Sequence, residues 1–160
     1  MSHLSVCELT PHRFDQAFPL ARAVLPCLTL EAWRGYLAGI RRQARAGLLA
    51  VENERGVLLG LAGYRWQQDP QHGACLDCDP VVVFELLGGE RVAQALIEAL
   101  ERQARHFGCE SLHTTIALPS GVGLADPLPA TALLRSFSRR GHRSAATRLC
   151  KKLEPPAAFN

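Results

Sequence analysis

A chain of 160 residues that is 48% hydrophobic and 21% charged has material for one domain with a buried core, and it falls outside the disordered and fibrous classes. No apolar run approaches the roughly 18–20 residues of a membrane span, and the start Met1-Ser-His-Leu-Ser-Val-Cys7 has no basic stretch ahead of an apolar one, so the expectation is a cytoplasmic protein without a leader. The formal net charge of +3 is modest but uneven: Arg135, Arg139, Arg140, Arg143, Arg148, Lys151 and Lys152 follow one another with no acid between them.

Residues 4–9 alternate and predict a strand. Pro11 to Val24 predicts a helix that Pro19 should break or kink. Thr29 suits the N-cap of a second helix, with Leu30, Trp33, Leu37, Ile40 and Ala44 on one face. Gly47 is expected to close that helix and open the strand Leu48–Glu52. Asn53-Glu-Arg-Gly56 reads as a hairpin turn, and Val57–Trp66 as the returning strand. A polar loop over 67–73 leads to a strand from Ala74 to Phe84.

A helix is predicted from Glu90 to Phe107, with Val92, Leu96, Leu100 and Phe107 on its buried face, Glu98–Arg102 and Glu101–Arg105 as wet-face pairs, and Gly108 as its stop. Glu110–Ile116 then reads as a strand, parallel to the one before the helix by the crossover rule. Residues 117–129 read as a loop, Ala130–Arg140 as a short helix, Arg143–Leu153 as a last strand, and Glu154–Asn160 as a frayed tail. The order is that of an α/β domain with a mixed sheet over residues 1–153, followed by a flexible tail over 154–160.

Six cysteines are scattered along the chain. Cys75 and Cys78 form a Cys-x-x-Cys pair with His72 three residues earlier, but zinc needs four ligands and no second knuckle is present. Six unpaired thiols and no metal are therefore expected. The basic C-terminal stretch lacks interleaved aromatic platforms, and the chain lacks a helix-turn-helix pattern, so nucleic acid is not an expected partner.

The most informative segment runs from Asp79 to Phe107. The β-branched strand Asp79-Pro-Val-Val-Val-Phe84 stops at Gly88-Gly89 and feeds a long amphipathic helix. Unpaired amides and the helix dipole at such a junction make an anion site, typically for phosphate. Asp77 and Asp79 lie two apart and so share a strand face. Two carboxylates on one partly buried face would raise the pKa of one, which suits a general base; the other reading makes both of them rim or turn acids.

These elements resemble the GNAT acetyltransferase superfamily. Gly88-Gly-Glu-Arg-Val-Ala93 fills the slot of that family's Gln/Arg-x-x-Gly-x-Gly/Ala loop, and Phe137-Ser-Arg-Arg-Gly-His142 fills its Tyr-x-x-x-Gly-Phe slot. Asp79-Pro-Val-Val82 resembles the central strand of small bacterial members. The resemblance spans residues 4–153 and implies a splayed parallel strand pair, acetyl-CoA as co-substrate without a metal, and direct transfer to a small amine or a protein amino group. It leaves room for a homodimer.

The resemblance also implies roles for particular residues. Backbone N–H groups of Val82 and Val83 would meet the thioester carbonyl, and Gly88, Gly89, Arg91, Val92 and Ala93 would hold the pyrophosphate. Three positions depart from the pattern: Gly88 in place of Gln or Arg, Arg91 in place of the first glycine, and Phe137 in place of the tyrosine that protonates the departing thiolate. Arg91 reads either as a phosphate ligand or as an obstruction. His142 is of a residue type that serves as a proton donor in catalysis, or else packs as a satisfied core residue. The alternative function is a weakened member of the fold that senses acyl-CoA or binds a partner.

Overall fold

Strand β2 (Ala46–Asn53) sends Leu48 and Ala50 to one side and Leu49 and Val51 to the other, and all four are buried. Such two-sided burial belongs to a strand inside a sheet covered on both faces. The computed structural model describes residues 3–84, 88–117, 131–146 and 148–155. Strand β1 (Leu4–Glu8), β2, β3 (Leu58–Asp69), β4 (Gly73–Val83) and β5 (Ser111–Thr114) form one sheet in that spatial order. The pairs are antiparallel except the last, β4 with β5, which is parallel. This is a single α/β domain.

Helices α1 (Phe18–Val24) and α2 (Leu30–Arg41) cover one face, where Ala21, Trp33 and Leu37 meet Leu48, Ala50, Leu61 and Val82. Helices α3 (Gly89–His106) and α4 (Ala132–Arg139) cover the other, with Val92, Leu96, Leu100 and Phe137 against Leu49, Val51, Leu76 and Val83. None of the helices is long and apolar enough to cross a membrane among the described residues. Thr29 caps α2 as expected, accepting the Ala32 N–H at 3.1 Å.

Several expectations are corrected. The segment before α1 is a 3-10 helix over Pro11–Ala17, and Pro19 sits in the first turn of α1, where no N–H is needed. Helix α2 ends at Arg41, leaving Ala44 outside it, and Gly47 lies within β2. A Cβ on Gly47 would come within 2.6 Å of both the Glu8 carboxylate and the Tyr64 hydroxyl. The polar loop over 67–73 shrinks to a tight turn between β3 and β4.

Residues 143–146 and 148–155 form no strand. Their apolar positions do not alternate, so no face can be buried, and Leu149 and Leu153 are 74% and 79% exposed. The expected loop over 117–129 lies, from residue 118 onward, outside the described residues, as do residues 156–160 of the expected tail.

The expected Glu101–Arg105 pair forms, at 3.7 Å, but the Glu101 side chain is largely covered from the α4 side. Arg140 reaches it with two nitrogens at 2.7 and 3.1 Å, and His142 lies 3.4 Å from it. Arg140 also pairs with Glu98, while Arg135 and Arg139 pair with Glu90. The basic stretch is thus partly spent on holding α4 to α3.

Candidate active site

The site begins where the parallel pair comes apart. Strands β4 and β5 pair only from Cys75–Ser111 to Cys78–Thr114, and the Thr115 N–H closes on the Cys78 carbonyl at 2.9 Å. Beyond that point β4 runs on through Val83 with β3 as its partner among the described residues. The parallel contact expected for residues 79–84 is therefore made by the preceding four residues, and residues 79–83 border an opening.

A bulge lies at the same place. The β3–β4 register shifts between Ala62–Val81 and Tyr64–Cys78, so Gly63 faces the two residues Asp79 and Pro80. A bulge can hold a proline because it leaves residues out of the hydrogen-bond ladder. It also reverses which side each residue faces. Before it, Leu76 and Cys78 face α3; after it, Val81 and Val83 do, and Val82 turns to α2.

Backbone direction follows the same alternation. The Phe84 N–H donates to the Leu59 carbonyl at 2.7 Å, which turns the N–H of Val82 toward β3 and those of Val81 and Val83 toward the opening. Of the two amides expected at the thioester, Val83 faces the open edge and Val82 does not. Val81, absent from the sequence expectation, joins it.

A cleft of about 340 Å³ opens beside this edge on the α1/α2 side. Asp77 and Asp79 both line it, as their shared strand face requires. Arg65 holds the Asp77 carboxylate at 2.9 Å, and Arg148 pairs with Asp79. The Asp77 and Asp79 side chains are 17% and 34% exposed.

Tyr36 enters from α2, stacked on Trp33 with ring centroids 5.7 Å apart, and its hydroxyl donates to the Asp79 carbonyl at 2.7 Å. Burial first, and then the negative charge of Asp79, push its pKa far up, so it stays a hydroxyl. Gly63 makes room for it, since a Cβ there would overlap the Tyr36 oxygen.

On the other face, α3 starts at a Gly88 with φ of 77°, a left-handed conformation that suits glycine. Val92 and Ala93 are buried in the core, so they offer only backbone to a ligand there, whereas Arg91 is exposed on the first turn. A Cβ built on Gly88 meets nothing within 4 Å, so its left-handed φ, rather than lack of space, is what suits this position to glycine.

The two α4-side candidates do not reach the cleft. Phe137 is 3% exposed in the α3–α4 core, and His142 packs edge-on against it at 4.8 Å while bound to Glu101. The blander reading of His142, a packed histidine with one partner, is the one its contacts match. Tyr36, Arg65 and Arg148 were absent from the sequence expectation. Tyr36 follows Trp33 by one helical turn, and a proline inside a strand signals a bulge, so part of the signal was present.

The profile of the Acetyltransferase (GNAT) family matches residues 10–122. No curated protein matches the sequence. Among solved structures, the aminoglycoside acetyltransferase AAC(6')-Iy, in complex with the bisubstrate analogue CoA-S-monomethyl-acetylneamine, is similar at 15% identity and a TM-score of 0.72, covering 96% of this chain and 100% of that one. The glucosamine-6-phosphate N-acetyltransferase of Arabidopsis thaliana is similar at 12% identity and a TM-score of 0.67, covering 95% of this chain and 99% of that one. The ribosomal-protein-alanine N-acetyltransferase of Brucella melitensis is similar at 14% identity and a TM-score of 0.67, covering 94% and 99%. Such identities carry the fold alone, whereas the profile match spans well over half of the sequence. The chain belongs to the acetyltransferase (GNAT) family.

Proposed function

We propose that this protein transfers an acetyl group from acetyl-CoA to the amino group of a small molecule or a protein. The observation that carries the reading is the open edge of β4, with the Val81 and Val83 amides beside a cleft that holds Asp77, Asp79 and Tyr36. The residues present fit the co-substrate: the first-turn amides of α3 and Arg91 would hold its pyrophosphate, and the β4 edge amides its acyl carbonyl. Acetyl-CoA supplies the activated acyl group.

The chain's own part is positioning and proton handling. One cleft carboxylate takes the ammonium proton, so that a neutral nitrogen attacks the acyl carbon. The Val83 amide donates to the oxygen that becomes negative. The C–S bond then breaks, and the thiolate takes up a proton. Tyr36, kept protonated by burial, spends its one hydroxyl hydrogen on the Asp79 carbonyl and so positions the strand; in the absence of a tyrosine at position 137, the thiolate's proton comes from solvent. The structural neighbours acting on aminoglycosides, a sugar phosphate and a ribosomal protein support an amine acceptor.

The second reading, an acyl-CoA sensor or partner-binding module, is favoured by Phe137, an apolar residue in the sequence slot where the resembled family carries its tyrosine. Thiol release from acetyl-CoA across a panel of amines separates the two. Release with one amine class supports the enzyme; acetyl-CoA binding with no release from any amine supports the sensor.

A further inference from the structure

Asp69, His72 and His113 converge at the end of β4 remote from the open edge. Asp69 ends β3, His72 precedes β4, and His113 lies on β5 in register with Asp77. His113 Nε2 is 3.0 Å from His72 Nδ1, which is 3.4 Å from Asp69 Oδ1. One ligand atom from each of the three residues falls within 4.8 Å of the other two.

A single proton cannot serve all of these contacts well. His72 Nδ1 either donates toward Asp69 or accepts from His113, because it carries one hydrogen or one lone pair. Bonds of about 2.0–2.1 Å at a tetrahedral cation place neighbouring ligand atoms about 3.3 Å apart; the His113–His72 and His72–Asp69 pairs, at 3.0 and 3.4 Å, match that spacing, and the third pair lies within 4.8 Å. The geometry points to a divalent transition-metal site with Asp69, His72 and His113 as ligands and water completing the shell.

The outer contacts are those of a metal centre. The Cys75 thiol lies 3.6 Å from His113 Nδ1, so the nitrogen turned away from the ion has a partner that fixes the ring and its tautomer. The Gln71 and His72 amides donate to Asp69 Oδ1 at 2.8 and 2.7 Å and hold its carboxylate in place. His72 is 43% exposed and Asp69 22%, so an ion can enter from solvent. Nitrogen and oxygen ligands of this kind suit Zn²⁺, Ni²⁺ or Cu²⁺ better than Mg²⁺ or Ca²⁺. A bound ion would tie the β3–β4 turn to β5, bracing the parallel pair from the end opposite its opening.

The test uses the full chain without a histidine tag, stripped with chelator and titrated with ZnCl₂ by calorimetry against a chromophoric chelator. The exposed thiols of Cys27 and Cys150 are removed in a Cys27→Ser, Cys150→Ser background. One equivalent of zinc should bind there at micromolar or lower Kd and raise Tm. His72→Ala, at an exposed ring and with its metal-free melt recorded as the folding control, should weaken binding by more than the roughly 10–100-fold typical of losing an outer partner. His113→Ala should do the same. Binding that survives His72→Ala, that disappears with the exposed thiols, or that is only millimolar overturns the site. A cobalt spectrum dominated by sulfur charge transfer would also overturn it, because the ligand set has no thiolate.

Discussion

The hydroxyl of Tyr36 on α2 donates a 2.7 Å hydrogen bond to the carbonyl oxygen of Asp79 on β4, across 43 residues of sequence. This contact holds the bulge at the point where the parallel strands separate. Tyr36→Phe leaves that carbonyl without its donor and should cost about 1–3 kcal/mol in urea unfolding. Acetyl transfer should fall further than stability does. Gly63→Ala should also destabilise, because its Cβ overlaps the Tyr36 oxygen, and part of the loss should be recovered in the Tyr36→Phe, Gly63→Ala double variant. Additive losses would show that the two positions do not act on one another.

Asp77→Asn and Asp79→Asn should each lower kcat, one of them by the roughly 10²–10⁴-fold typical of a lost general base and the other by far less. Asp77 is the more enclosed of the two. Steady-state rates with a fixed amine decide which carboxylate is the base, and equal small effects for both would remove that role from the strand.

Arg91 lies exposed on the first turn of α3, the turn that would hold the pyrophosphate. Arg91→Gly should weaken acetyl-CoA binding by about tenfold or more, the usual worth of a charge-assisted hydrogen bond. Tighter binding by calorimetry would show that the arginine obstructs the loop.

Glu101 joins α3 to α4. The Arg140 hydrogen bonds, more than any other influence, hold its carboxyl below the ordinary value of 4.5, with burial working against them and His142 adding to them. A carboxyl lowered in the folded state stabilises fully above its unfolded pKa, and that stability is lost as pH falls through the folded value. Tm of the wild type should therefore drop between about pH 5 and pH 3 more steeply than Tm of Glu101→Gln. His142→Gln should shift Tm and leave the pH profile of kcat unchanged, as expected of a residue outside the cleft.

Phe137→Tyr tests the α4 side directly. The sequence pattern alone expects the restored tyrosine to raise the rate. The packed position of Phe137, against the His142 ring in the α3–α4 core, sets a different expectation. The new hydroxyl would be buried without an assigned partner and should cost about 1–3 kcal/mol with no gain in kcat. A faster enzyme would mean that α4 rearranges when acetyl-CoA binds.

Features encoded by near neighbours were legible before the structure. Thr29 accepts from an amide three residues on, Gly88 supplies a left-handed turn ahead of α3, and Asp77 and Asp79 share a face because side chains alternate along a strand. The order of elements through β5, and the parallel pairing of its last two strands, follow from the same local signals plus the crossover rule. The run Arg143–Leu153 misled, because strand-like composition without alternation has no face to bury.

What the tertiary structure decided depends on register between distant strands. The bulge at Gly63 opposite Asp79 and Pro80 reverses the facing of every later residue in β4, so Val81 and Val83 rather than Val82 offer amides to the opening. Packing of α4 on α3 commits His142 to Glu101 and Phe137 to the core, on the far side of the sheet from the carboxylates. Tyr36, Arg65 and Arg148 reach their aspartates across gaps in sequence that no periodicity spans. Alternation and capping are properties of a segment, whereas a bulge and a long-range hydrogen bond exist only once two segments have been placed side by side.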